Sequence, residues 1–62
     1  MNLYTVTNNG RIFAQHVEAK SETDALDIVR ERAYKRLRKD YDDLLVIMRY
    51  MACYDNAVAV RE

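Results

Sequence analysis

The chain contains one glycine and no proline, and this lack of helix- and strand-breaking residues favours continuous strands and helices joined by tight turns. Gly10 follows Asn9, and an Asn-Gly pair tolerates the positive φ angles of a type I′ hairpin turn. Strand-forming residues occupy positions 3–7 before the pair and 11–19 after it. The chain is therefore predicted to begin with a β-hairpin.

The register of this hairpin is predicted from the face that must be buried, because a slip of one residue turns every side chain to the other face. With Asn9-Gly10 as a two-residue loop, Asn8 opposes Arg11, Val6 opposes Phe13 and Tyr4 opposes Gln15. The apolar face then collects Tyr4, Val6, Phe13 and Val17. The opposite face carries Thr5, Thr7, His16 and Glu18.

An amphipathic helix is predicted after the hairpin, from about Glu22 to about Arg38. Ser21 is a suitable N-cap because its hydroxyl accepts a backbone N–H of the first turn, where acidic residues also suit the helix dipole. One apolar stripe repeats at helical spacing through Ala25, Leu26, Val29, Ala33 and Leu37. We expect this stripe to pack on the hairpin face that carries Phe13.

Residues 41–54 fit two different structures. Their apolar positions are compatible with one face of a second helix near residues 42–54, and periodicity alone does not decide. The β-branched pair Val46-Ile47 and the run at 57–60 favour strands instead. We therefore predict one α+β domain over residues 1–62, a ββαββ antiparallel sheet with one helix packed on it. The alternative is ββα followed by a second helix.

In the strand interpretation, a turn at Asp55-Asn56 pairs Cys53 with Val58 and Met51 with Val60. The core face would hold Leu45, Ile47, Met51, Cys53, Val58 and Val60. The other face would also be largely apolar: Leu44, Val46, Met48, Tyr50, Ala52, Tyr54, Ala57 and Ala59. A solvated face of an antiparallel sheet is normally polar. Either the strand register is wrong, or this face contacts another protein through Val46, Met48, Tyr50 and Tyr54.

A basic stripe is predicted on the helix, because Arg32, Lys35, Arg36 and Lys39 recur at helical spacing. Such a stripe is suited to phosphates or to an acidic protein surface. Basic residues near a helix C-terminus also complement the helix dipole without any ligand. Ten Lys and Arg balance ten Asp and Glu, so the net charge of zero gives no general attraction for nucleic acid.

Catalytic and metal-binding groups are scarce in this chain. It holds one Ser, one His and one Cys, and Ser21 already serves as the predicted cap. His16 is expected on the solvent face and Cys53 in the core, where a thiol behaves as a small hydrophobe. One Cys and one His make neither a disulfide nor a four-ligand zinc site. The sequence predicts no catalytic residue, no metal and no cofactor. It contains no apolar run of membrane-spanning length, and its first residues do not predict a secretory leader.

The segment from Val17 to Leu26 resembles small phage and prophage proteins, in which a strand ends in the pattern A-x-S/T-x-x-E/D-A and a helix follows. The T7-type phage inhibitors of host RNA polymerase are similar in length and in this feature. The resemblance implies a small non-catalytic host-takeover or anti-defence protein in the host cytoplasm, whose partner is a host protein. Contact with a second copy of the chain, a nucleic-acid-associated role for the basic stripe, and a structural subunit of an oligomer are the alternatives.

Overall fold

The computed structural model describes all 62 residues. The elements are β1 (Asn2–Asn8), β2 (Arg11–Ala19), α1 (Glu22–Asp40), α2 (Leu44–Met51), a 3₁₀ turn (Ala52–Tyr54) and β3 (Val58–Arg61). The strand β1 lies between β2 and β3 and is antiparallel to both. The α+β class is therefore confirmed, whereas the ββαββ order is matched only in part, since there are three strands and two α-helices.

The first turn has the predicted geometry. Asn9 and Gly10 have φ angles of 52° and 79°, as a type I′ turn requires, and Asn8 lies opposite Arg11. Both central residues therefore occupy the left-handed region, which glycine and asparagine tolerate best.

The register beyond this turn differs from the prediction. The pairs are Thr7 with Ile12, Val6 with Ala14, and Tyr4 with Val17. The partners predicted for Val6 and Tyr4, which were Phe13 and Gln15, are wrong because β2 carries extra residues at two register shifts. These irregularities nevertheless leave the predicted apolar face intact, with Tyr4, Val6 and Val17 buried and Phe13 packed against them.

The helix α1 begins where the cap predicts and ends two residues later than expected. The Asp24 N–H donates to Ser21 Oγ at 3.1 Å, and Asp24 Oδ2 accepts the Lys20 N–H at 2.9 Å. Ala25 and Val29 are buried, and the rest of the predicted stripe is half-buried. The helix therefore covers the inner face of the sheet, as expected. The core between them consists of Tyr4, Val6, Val17, Ala19, Ala25, Val29, Ala57 and Ala59.

Residues 44–51 form a helix, so the third predicted strand is wrong and the alternative of a second helix is nearer to the structure. The Asp43 carboxylate accepts the Leu45 N–H at 2.9 Å, which caps the helix N-terminus. Ile47 is buried and Met51 half-buried, but Leu45 and Cys53 are exposed instead of lying in the core.

The strand β3 corrects the prediction for the C-terminal residues. It pairs with β1, where Val6 opposes Ala59 and Thr7 opposes Val58, and not with residues 51–53. Cross-strand partners share a face, so Ala59 joins Val6 in the core while Val58 joins Thr7 outside. Val58 and Val60, predicted as core, are therefore exposed, and Ala57 and Ala59 are buried.

Candidate functional site

A cleft of about 250 Å³ lies where β2, α1 and the 3₁₀ turn meet. We call it the aromatic cleft; its lining is Phe13, Ala14, Val29, Arg32, Ala33, Arg36 and Tyr54. The rings of Phe13 and Tyr54 are 5.0 Å apart between centroids and inclined at 53°, a favourable tilted aromatic contact. The irregular register of β2 places Phe13 here, and the 3₁₀ turn places Tyr54 beside it.

The aromatic cleft has a positive rim. Arg32 and Arg36 lie one helical turn apart on α1 and neither makes an ion pair. No acidic residue lines the cleft. Burial raises the pKa of Tyr54 above its ordinary value and the nearby Cys53 adds to this, while the positive charge of Arg36 acts in the opposite direction. The cleft therefore combines an apolar, aromatic floor with two unneutralised guanidinium groups.

The structure divides the predicted basic stripe into two parts. Arg32, Lys35, Arg36 and Lys39 are all exposed on α1, but only the two arginines line the aromatic cleft. Lys35 lies 3.3 Å from Glu31, an exposed i,i+4 pair that contributes little to stability. The helical spacing of the stripe is confirmed, and its role in binding stays a prediction.

The four residues predicted for protein contact do not share one face. Met48 and Tyr50 are exposed on α2, Val46 is half-buried, and Tyr54 is half-buried against Phe13. Alternate residues share a face on a strand, whereas on a helix they point about 200° apart. The common face assumed for these residues is therefore wrong, and their part in contact stays a prediction.

A different apolar surface appears on the outer side of α2. Leu44, Leu45 and Met48 are 56%, 75% and 59% exposed, and we call these three residues the α2 apolar surface. They are neighbours because Leu44 and Leu45 lie four and three residues before Met48. Sequence reasoning placed Leu45 in the core, although the helical spacing of these residues was a signal for this surface.

The inner side of α2 is held against the end of α1. Tyr41 and Tyr50 stack with centroids 5.3 Å apart and planes inclined at 29°. A side-chain hydrogen bond with Tyr50 raises the pKa of Tyr41 above its ordinary value, and repulsion between the two ionised groups adds to it. The stack and buried Ile47 therefore fix which side of α2 faces the solvent.

Glu62 follows β3 and forms hydrogen bonds with residues of β1 and β2 on the outer face of the sheet, so it links all three strands. Its carboxylate accepts the Thr5 hydroxyl at 2.8 Å and the His16 N–H at 2.7 Å, and the His16 ring Nδ1 lies 2.7 Å away. The hydrogen bond from Thr5, followed by the contact with His16, holds the pKa of Glu62 below its ordinary value. His16 adopts φ 57°, a left-handed conformation that an ordinary strand residue avoids.

The only cysteine and histidine have separate partners. The Cys53 thiol donates to the Tyr50 carbonyl at 3.0 Å, whereas the His16 ring contacts Glu62. Cys53 is exposed, so its predicted position in the core is wrong, whereas His16 faces the solvent as expected. Nowhere do three His, Cys, Asp or Glu side chains gather as metal ligands would.

Comparison with protein-family models, with curated proteins and with solved structures gives no match for this chain. Neither helix has the length and apolar character required to cross a membrane.

Proposed function

We propose that this chain is a small non-catalytic binding protein that acts by occupying the surface of a partner protein. The observation that carries the proposal is the exposure of Leu44, Leu45 and Met48 side by side on one helix. Exposed apolar side chains that form a continuous patch mark contact surfaces more often than isolated ones do. The α2 apolar surface therefore replaces the strand face that the sequence predicted for protein contact.

The internal packing of α2 supports this choice of surface. Buried Ile47 marks the inner side of the helix, and Tyr50, although half exposed, stacks on Tyr41 at the end of α1. The three residues of the α2 apolar surface are each more than half exposed on the remaining sides of the helix, and a helix that is apolar on more than one side is normally enclosed. A contacting protein would complete that enclosure.

The resemblance of residues 17–26 to small phage proteins supports a narrower form of the proposal. In this form the chain is a phage-type inhibitor, its partner is a host protein and it acts in the host cytoplasm. The α2 apolar surface would also accept a second copy of the chain. In that case the protein would be a structural subunit of an oligomer.

The experiment compares wild type with Leu45→Lys/Met48→Lys, which adds two charges to the α2 apolar surface while keeping good helix formers. A charge-matched control, Gln15→Lys/Asn56→Lys, adds the same two charges at exposed neutral positions outside the helices. A photoreactive residue at position 44 reports the protein that touches α2, and sedimentation reports self-association. We expect the wild type and the control to associate at micromolar concentration, with a partner protein or with a second copy of the chain. We expect the Leu45→Lys/Met48→Lys variant to lose this association. Monomeric wild type with no cross-link at position 44 would contradict the proposal.

A second candidate is a nucleic-acid-associated regulator that uses the basic stripe, and the unpaired guanidiniums of Arg32 and Arg36 favour it. The pairing of Lys35 with Glu31 and the zero net charge oppose it. Four phosphate contacts would reduce affinity for duplex DNA by about two orders of magnitude between low and physiological salt. A gel-shift titration in which binding is weak at every salt concentration would reject this candidate.

A further inference from the structure

We propose that the aromatic cleft binds one nucleoside monophosphate unit, with its base against Phe13 and Tyr54 and its phosphate between Arg32 and Arg36. This ligand is a single unit and not a polyanion lying along the basic stripe. None of the residues that line the cleft belongs to the α2 apolar surface, so nucleotide binding is independent of contact with a partner protein.

The charge of the cleft favours a terminal phosphate over a carboxylate. A phosphate monoester carries about −1.5 to −2 charges near neutral pH and has three terminal oxygens. A carboxylate carries one negative charge on two oxygens, so it would leave one of the two guanidinium charges uncompensated. Arg32 and Arg36 have no acidic neighbour in the cleft, so both guanidiniums are available to one anion.

The size and lining of the cleft suit one nucleotide unit. Its volume of about 250 Å³ is just below the roughly 300 Å³ of typical small-ligand pockets, so it has room for one base, with the sugar and phosphate at the rim, and not for two nucleotide units. The Phe13 and Tyr54 rings supply aromatic surface, and bases stack on such surfaces with little regard to their identity. Arg36 and Tyr54 both line the cleft, so the cationic and aromatic groups face the same space.

The surroundings of the cleft limit the ligand to one unit. Lys35 is paired with Glu31, and Asp40, Asp42 and Asp43 follow the basic part of α1. A longer strand leaving the cleft along the helix would therefore meet Lys35, whose charge is shared with Glu31, and then the acidic run at 40–43, with Lys39 as the one unpaired cation of the stripe on its way. A free nucleotide and the phosphorylated end of a single strand share the chemistry that the cleft recognises.

The test is an NMR titration of the whole chain that follows the ring protons of Tyr54 and Phe13. The probes are adenosine 5′-monophosphate, adenosine, inorganic phosphate, and a tetranucleotide with or without a 5′-phosphate. At about 150 mM salt, where weak surface contacts are screened, we expect the monophosphate to bind at least tenfold more tightly than adenosine or phosphate. A phosphorylated tetranucleotide that binds more tightly than the free nucleotide identifies a strand end as the ligand, and the reverse order identifies the free nucleotide.

Two matched variants separate the cleft from the general charge of the helix. Arg32→Gln/Arg36→Gln and Lys35→Gln/Lys39→Gln remove the same charge from the same exposed stripe. We expect the arginine variant to lose binding by tenfold or more and the lysine variant to retain it within about twofold. Tyr54→Phe should retain binding, and Tyr54→Leu should lose it while the thermal unfolding curve verifies the fold.

Three results would overturn the inference: equal loss in both charge variants, equal affinity for the monophosphate and inorganic phosphate, or no change at Tyr54 at millimolar nucleotide. The first would indicate nonspecific attraction, the second would remove the role of the base, and the third would leave the cleft empty. None of them bears on the cross-link at position 44 of α2, so the two proposals fail separately.

Discussion

Replacing Val6 by alanine tests the packing at the centre of the sheet. Val6 is 0% exposed and lies between Ala14 on β2 and Ala59 on β3. Neither alanine side chain is long enough to fill the cavity that a smaller residue at position 6 would leave. Losing two buried methyl groups costs about 1.6 kcal/mol at about 0.8 kcal/mol each. The unfilled cavity raises the total to about 2–3 kcal/mol. A chain of this length has a free energy of unfolding of only roughly 3–9 kcal/mol.

The matched control for this variant is Val58→Ala, the same chemical change on the outer face of β3. Val58 is 54% exposed beside Thr7, so its loss should change the free energy of unfolding by no more than about 0.5 kcal/mol. In thermal unfolding followed by circular dichroism, Val6→Ala should lower the Tm by about 10–20 °C. If Val58→Ala destabilised the chain as much as Val6→Ala, β3 would face the other way, as the sequence prediction had it.

Three further variants test the backbone and the outer face. Gly10→Ala should destabilise the fold by about 1 kcal/mol in chemical denaturation, because its φ of 79° disfavours a Cβ although no atom would clash with one. His16→Val should cost about 1–2 kcal/mol despite the strand preference of valine, while His16→Asn, which tolerates φ 57°, should cost less. Folding lowers the pKa of Glu62 from its ordinary value of 4.5. The ionised carboxylate therefore stabilises the fold fully at pH values above 4.5, and this stabilisation is lost as the pH falls through the pKa of the folded state. The Tm difference between wild type and Glu62→Gln should therefore be largest near neutral pH and should disappear at acidic pH. A difference that does not change with pH would contradict this.

The first half of the fold was predictable because its signals are local. The turn depends on Asn9 and Gly10 alone, and the start of α1 depends on a hydrogen bond between Ser21 and Asp24, three residues apart. The apolar face of the hairpin was also correct. Its register was not, since nothing in the sequence marks the extra residues of β2, and His16 has a left-handed conformation that its strand-forming neighbours do not suggest.

The second half depends on contacts between distant residues. Val46-Ile47 favours a strand locally, but the capping carboxylate of Asp43 and the burial of Ile47 against the rest of the chain favour a helix. The strand β3 pairs with β1 from the opposite end of the sequence, so its inward side follows from Val6 and not from the composition of residues 57–60. Ala59 could be identified as core only once that partner was known.

The aromatic cleft was predictable only in part for the same reason. Arg32 and Arg36 were recognised because they lie on one helix at regular spacing. Phe13 and Tyr54 reach them from an irregular strand and from a 3₁₀ turn that follows α2. Their contact at 5.0 Å joins residues whose relation no local pattern describes.

The helix α2 is where local preference and the fold agree least, and it also carries the proposed contact with a partner. Such disagreement is expected at functional sites, where a sequence serves something besides its own packing. Fully burying one large apolar side chain contributes about 1.5–3 kcal/mol, so Leu44, Leu45 and Met48, each already partly covered, supply at most about 5–9 kcal/mol. Association itself costs about 4–15 kcal/mol, while a micromolar complex requires a net of about 8 kcal/mol. The α2 apolar surface therefore forms the centre of an interface and not the whole of it, and a partner that binds at micromolar concentration must also contact residues outside α2.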